Sequence, residues 1–181
     1  MKEPYNLYGT CRHWRQRVRV GRTTVTCSSY FGNGNSKTLE PIPDFGIYLS
    51  TVWKSKLSPF WTSGAYLKSV ARLRAYPALV VDWADVGVVK VNWLRELVEI
   101  CLCKMRQGKR IDIGCAAGHG RTGTLLACLI AKKEHLSAVR AMSEVYSRYC
   151  HHAIETRAQE DLVREYVENL LKEVEASAKR R

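Results

Sequence analysis

Apolar and polar residues alternate along Arg17-Val-Arg-Val20 and again along Thr24-Val-Thr-Cys27, on either side of Gly21-Arg22. A period of two broken by a glycine predicts a β-hairpin. Tyr30 to Ser36 is rich in Gly and Asn and predicts a loop, whereas Phe45-Gly-Ile-Tyr-Leu49 predicts a strand. Ser50 to Gly64 follows no period, and Ala65 to Tyr76 suits a helix. Pro77-Ala-Leu-Val-Val-Asp-Trp83 is an apolar run of buried-strand length, ended by Ala84-Asp-Val-Gly87.

Beyond that point the period changes to that of a helix. Leu94, Leu97, Val98, Cys101, Leu102 and Met105 recur at three- and four-residue spacings, and Gly108 follows as a helix stop. Arg110 to Gly114 predicts a short strand, and Thr122 to Lys133 a helix apolar on most sides and therefore buried. Ser137 is an N-cap residue for a helix reaching about Tyr149. A last helix from about Thr156 carries Leu162, Val163, Tyr166, Val167, Leu170, Leu171 and Val174 on one stripe. Strands alternating with helices, then a helical C-terminal half, predict an α/β fold: a central, mostly parallel twisted sheet flanked by helices. At 181 residues without internal repeat or linker, residues 1–181 read as one domain.

Composition narrows the class. Hydrophobic content of 46% fits a globular chain, and no apolar run reaches the length of a membrane span. Seven cysteines, an odd number without paired spacing, follow an N-terminus that lacks the apolar core of a signal peptide. Both features predict free thiols in a reducing, cytoplasmic compartment. Cys101 and Cys103 face different sides of a helix, and Cys150-His151-His152 are adjacent, so neither group suits a metal ion and no metal or other cofactor is expected. Lys and Arg total 29 against 17 Asp and Glu, a formal net charge of +12. Such a surface attracts anions: nucleic acid, acidic lipid or phosphorylated protein.

The candidate chemistry lies in IDIGCAAGHGRTGT, Ile111 to Thr124. Spacing alone decides nothing, because Cys11 and Arg17 stand as far apart as Cys115 and Arg121. The first pair is joined by large side chains without glycine. The second comes directly off a predicted strand, opens a helix, and is joined by Ala116, Ala117, Gly118, His119 and Gly120. Small residues there let successive backbone N–H groups point at one centre, an anion cradle at the positive end of the following helix. Those dipoles and Arg121 favour a thiolate at Cys115, and the guanidinium fork can grip two phosphate oxygens. A nucleophile beside an oxyanion cradle predicts phosphoryl transfer through a phosphocysteine.

Cys115-Ala-Ala-Gly-His-Gly-Arg-Thr-Gly-Thr124 resembles the signature loop of the cysteine-dependent protein tyrosine phosphatases, HCSAGxGRTGT, with Gly118, Gly120, Arg121, Thr122, Gly123 and Thr124 in register. The resemblance implies a phosphatase-like fold, Cys115 as nucleophile, Arg121 as binder of phosphate and transition state, and Thr122 as the hydroxyl stabilising the departing thiolate. A phosphocysteine mechanism also requires a proton for the leaving oxygen. The family carries it on the Asp of a Trp-Pro-Asp loop, and Trp83-Ala-Asp85 stands thirty residues before Cys115. Asp85 falls in register with that acid; Asp82, at a strand end, suits a structural hydrogen bond, and Asp112 lies within a strand. Ala153 to Gln159 resembles the family's glutamine segment, which positions the hydrolytic water: Glu155 stands where the first glutamine usually does, and Gln159 matches a second.

Three departures bear on activity. Gly114 replaces the histidine before the nucleophile, Ala116 a serine, and Ala84 the proline of the acid loop. None removes a group that makes or breaks a bond. His119 occupies a variable position at which phosphoinositide phosphatases often carry a basic residue, although a solvent-facing histidine accounts for it as well. The expectation is a phosphomonoesterase acting on phosphorylated protein, phosphotyrosine foremost. RNA 5′-phosphate, a phosphoinositide, a weakly active phosphate-binding module and a rhodanese-like sulfur transferase stand as alternatives, the last leaving Asp85 and the Arg121-Thr122 pair without a role. The matching segments begin at Leu79, and residues 1–76 carry no family motif.

Overall fold

A computed structural model of the chain describes residues 15–30, 42–52, 62–63, 68–73 and 76–180. The predicted loop beyond Tyr30, much of the unassigned stretch from Ser50 to Gly64, and the comparison residue Cys11 lie outside them.

The predicted hairpin forms from β1 (Arg15–Val20) and β2 (Thr23–Ser29), antiparallel with Val18 opposite Val25. Gly21 turns it at a φ of 59°, and its N–H donates to Glu134 Oε1 (2.8 Å) at the end of a helix. β3 (Phe45–Tyr48), β4 (Thr62–Ser63), β5 (Lys68–Leu73), β6 (Tyr76–Val81) and β7 (Ile111–Cys115) complete one sheet of order β1-β2-β7-β3-β6-β5-β4. Its centre is parallel: β7 runs between β2 and β3, and β3 beside β6. The edges are antiparallel.

The helix expected over 65–76 is not formed; residues 68–73 are β5, and Tyr76 begins β6. Lys68 lies opposite Val81 and Leu73 opposite Tyr76. Ala, Leu, Lys and Arg favour a helix locally, but the apolar strand Tyr76–Val81 needs an antiparallel neighbour on its outer edge, and pairing overrides propensity.

The helices α1 (Val91–Arg106), α2 (Gly120–Glu134), α3 (Ala138–Arg148) and α4 (Arg157–Ala178) follow the predicted periods. Ser137 caps α3 and Thr156 caps α4, their side chains accepting from the N–H of Arg140 and Gln159. Alternation sends Val25, Cys27, Ile47, Ile111 and Ile113 into one core with Leu94, Leu97, Leu125, Leu129 and Val163 from the helices. Every residue of α2 from Gly120 to Ala131 is buried, so the helix that begins at the cysteine loop is fixed along its length. The α4 stripe ends sooner than expected: Leu171 and Val174 are exposed, because the helix outruns the layer it covers and all its residues from Leu171 on meet solvent.

Asp44 ties the start of β3 to that of β7, accepting from Arg110 N (2.8 Å), Nε (3.0 Å) and Nη2 (3.0 Å). The Arg110 side chain, and then its backbone N–H, hold this carboxyl down at about 2 against an ordinary 3.8. A lowered folded-state value stabilises the fold above the ordinary carboxylate range and is lost as pH falls through about 2. Asp44→Asn is therefore expected to lower the Tm modestly at neutral pH. The gap to the parent should narrow progressively below about pH 4. Thermal melts across that range check it; a gap that does not change with pH contradicts the assignment.

Candidate active site

The C-terminal end of β7 delivers Cys115 to the edge of the core, where the chain curls and enters α2. Neighbouring strands hold the start of the curl: Leu49 N donates to Gly114 O (2.7 Å), Tyr30 N to Cys115 O (3.0 Å) and Ser29 Oγ to Ala116 O (3.1 Å). Gly118, at a φ of 79°, points its N–H at Cys115 Sγ (3.2 Å), the inward-facing donor expected of an anion cradle. The Tyr149 hydroxyl donates to Gly118 O from the far side. Thr124 Oγ1 bonds Gly120 O (2.7 Å), and Gly123 N bonds His119 O (2.6 Å), locking the entry to the helix.

Arg121 is buried and makes the junction with the second segment. Its Nη1 donates to Trp83 O (2.7 Å), and its Nη2 to Asp85 Oδ1 (2.6 Å). The Asp85 side chain is 76% exposed while its partner is 4% exposed, so the carboxylate stands at the mouth and the guanidinium at the floor. Trp83 is buried, and its indole N–H donates to Gly87 O (2.9 Å), closing the turn that carries Asp85 on itself. Between Asp85 and Gly87, Val86 has a φ of 49°, a left-handed conformation rare for a β-branched residue. That conformation costs about 1–3 kcal/mol, and such strain collects at functional loops. Val86→Gly is expected to raise the Tm and to lower phosphatase turnover several-fold as the turn carrying Asp85 relaxes; a lowered Tm shows there was no strain to relieve.

The third segment closes the arrangement. Glu155 Oε2 accepts from Gly120 N (3.0 Å), Glu155 N donates to Gln159 Oε1 (2.8 Å), and Gln159 Nε2 donates to Gly87 O (3.3 Å). Gln159 is fully buried and bonds both Gly87 O and Glu155 N, so that it ties the Trp83–Gly87 turn to the cysteine loop through Glu155. Burial pushes the Glu155 carboxyl up against the opposing pull of Gly120 N–H, and the Asp85 charge adds to the rise. A Cβ on Gly120 would stand 2.3 Å from Glu155 Oε2, and one on Gly123 2.7 Å from the Ala153 Cβ. Those two glycines are thus required by the approach of the third segment.

The structure thus brings Cys115, Arg121, Asp85, Glu155 and Gln159 to one end of the sheet. Thr122 Oγ1 is buried and takes no hydrogen bond among the described residues. His119 differs from the solvent-facing reading: it is buried beneath the curl, because the chain must turn inward there to start α2. Asp82, expected to make a structural hydrogen bond, is exposed and makes none among the described residues, since the chain turns to solvent once β6 has ended. Tyr149 and Ser29 were not indicated by the sequence; each acts through one hydroxyl brought in by the fold. No disulfide joins the described cysteines, no helix among the described residues is long and apolar enough to cross a membrane, and no three metal-binding side chains among them cluster.

The fold is that of the tyrosine and dual-specificity phosphatases, and the loop at the end of β7 resembles their signature sequence except at Gly114 and Ala116. No family model matches the chain. It superposes on Tk-PTP in a mutant form with a TM-score of 0.64 at 21% identity, over 86% of this chain and 96% of that one. PTPMT1 in complex with PI(5)P gives a TM-score of 0.64 at 14% identity, over 89% and 99%. In sequence it is 32% identical over 95 residues to an uncharacterised protein of Methanocaldococcus jannaschii, 52% of this chain and 63% of that protein. It is 35% identical over 89 residues to protein tyrosine phosphatase domain-containing protein 1 of Danio rerio, 49% of this chain and 12% of that protein. The chain spans less than two thirds of the length of these curated relatives.

Proposed function

We propose that the chain hydrolyses phosphomonoesters through a phosphocysteine on Cys115, with phosphotyrosine in proteins as its foremost substrate. One observation carries the reading: Arg121, at the floor of the cradle, is bonded both to the Trp83 carbonyl and to the Asp85 carboxylate. With Cys115 Sγ under the Gly118 N–H of the same loop, that contact supports a nucleophile, an anion binder and an acid acting together.

A phosphoryl group entering the cradle takes the loop N–H groups and Arg121, and Asp85 gives up Nη2 to a phosphate oxygen and turns to the leaving oxygen. Cys115 Sγ attacks phosphorus as the thiolate, the phosphorus–oxygen bond breaks, and Asp85, which takes up a proton from solvent once it has left Arg121, donates that proton to the departing alcohol or phenol. Water then attacks the phosphocysteine, Asp85 takes up its proton, and the sulfur–phosphorus bond breaks to release phosphate. Thr122 supplies a hydroxyl to the departing thiolate. In this reading Glu155 holds the attacking water, and Gln159, which accepts from Glu155 N, holds Glu155.

Phosphoprotein as substrate is supported by the CAAGHGRTGT sequence and by the phosphatase neighbours; PTPMT1, bound to PI(5)P, supports a phosphoinositide as the second reading. A panel of p-nitrophenyl phosphate, phosphotyrosine and phosphoserine peptides, phosphoinositides and 5′-phosphorylated RNA decides between them. The reading predicts the largest kcat/KM on phosphotyrosine peptides. A larger value on phosphoinositide vesicles replaces the substrate, and absence of turnover on every member sinks the phosphatase reading.

A further inference from the structure

The sheet has a second face, turned away from the four helices. There Asp112 is completely buried, three residues before the nucleophile. Its Oδ1 accepts from Ser28 Oγ (2.5 Å) and its Oδ2 from the Tyr48 hydroxyl (2.8 Å), which is itself bonded to the Tyr76 hydroxyl (2.7 Å). The carboxylate thus links β7 to β2 and β3 directly and to β6 through Tyr48. Burial, and then the charge of Asp112, push the Tyr48 phenol well up, so that it remains a proton donor. The Tyr48 ring reaches back over β3 because residue 46 is glycine: a Cβ there would stand 2.4 Å from the ring.

A buried carboxylate is expensive and persists only where its hydrogen bonds are complete. Where this one acts follows from the register. Ser28 and Tyr48 both lie opposite Gly114, the position at which the signature sequence has histidine. The residues that follow them grip the loop: Ser29 bonds Ala116 O, Tyr30 bonds Cys115 O, and Leu49 bonds Gly114 O. Both strands that hold the root of the cradle are therefore clamped to each other through Asp112. Resting on the phosphatase reading, we infer that Asp112 is a positioning residue: its clamp on Ser28 and Tyr48 sets the cradle in place of the side chain that Gly114 lacks.

The test compares Asp112→Leu, Asp112→Asn and Tyr48→Phe with the parent, well below the melting temperature of each. Two readouts need no turnover: the affinity for inorganic phosphate, and the ratio of Cys115 alkylation rates by anionic iodoacetate and neutral iodoacetamide. A small displacement of the cradle weakens both, so Asp112→Leu should lose about tenfold or more in phosphate affinity, together with its preference for iodoacetate. Asp112→Asn, which still accepts from Ser28 and engages Tyr48, should stay within about threefold of the parent. A folded Asp112→Leu protein with parental affinity and parental alkylation ratio overturns the inference, since loss of Tm alone marks a purely structural carboxylate. If Asp112→Leu does not fold, Tyr48→Phe decides: about a threefold loss of phosphate affinity is expected, and an unchanged affinity overturns it. A parent that binds phosphate but hydrolyses nothing in the substrate panel sinks the phosphatase reading alone; the variant series still decides Asp112.

Discussion

Cys115→Ser abolishes turnover of every phosphomonoester, by about 10⁴-fold or more, while leaving the fold and phosphate binding in place. The substitution exchanges one atom at a position only 1% exposed, so packing around the loop is retained. The Gly118 N–H that now points at Sγ can point at Oγ instead. What is lost is the nucleophile, because a serine hydroxyl without an adjacent base does not ionise at neutral pH. The variant should hold phosphotyrosine peptides without consuming them, which calorimetry detects. Turnover persisting near the parental rate shows that the reaction does not pass through sulfur.

Asp85→Asn produces the second largest effect, and one that depends on the substrate. An asparagine cannot protonate the leaving oxygen, so kcat should fall by about 10²–10⁴ for peptide and alkyl phosphates. The loss should be much smaller for p-nitrophenyl phosphate, whose leaving group needs little help. A second consequence has the opposite sign. In the resting site the Asp85 carboxylate occupies Arg121 Nη2 at 2.6 Å, and an incoming phosphate must displace it. With that competing anion gone, inorganic phosphate should bind several-fold more tightly to the variant than to the parent. Equal losses on both kinds of substrate would mean that Asp85 is not the acid. An unchanged phosphate affinity would mean that its contact with Arg121 does not matter to binding.

Much of the candidate site's arrangement was legible in the sequence, because its residues are concentrated in contiguous stretches. Between Cys115 and Arg121 the small residues, the strand before and the helix after all express one local geometry, and Trp83 with Asp85 stands at a readable distance. The central strands, the helices and the Ser137 cap were equally plain, being written in short-range signals. What the sequence hid depends on pairing across the sheet. Residues 68–73 look helical in isolation and become β5 only because β6 has an open edge. In the sequence Asp112 reads only as a residue within a strand. Its meaning depends on Ser28 and Tyr48, 84 and 64 residues away in the chain, meeting on one face. Tyr149 is likewise invisible, since one hydroxyl at the end of α3 finds the Gly118 carbonyl only once the helices are packed. His119 misled for the opposite reason: a polar residue in a glycine-rich turn suggests solvent, and only the inward curl into α2 buries it.

The central claim is that phosphate passes through a covalent bond to Cys115. It is tested by mixing the protein with excess p-nitrophenyl phosphate, quenching in acid within the first turnovers, and mapping the added phosphoryl group by peptide mass spectrometry. The account predicts the phosphoryl group on the peptide that contains Cys115, and none there in Cys115→Ser. Steady turnover with no trapped phosphoryl group, or with one on another residue, would contradict it.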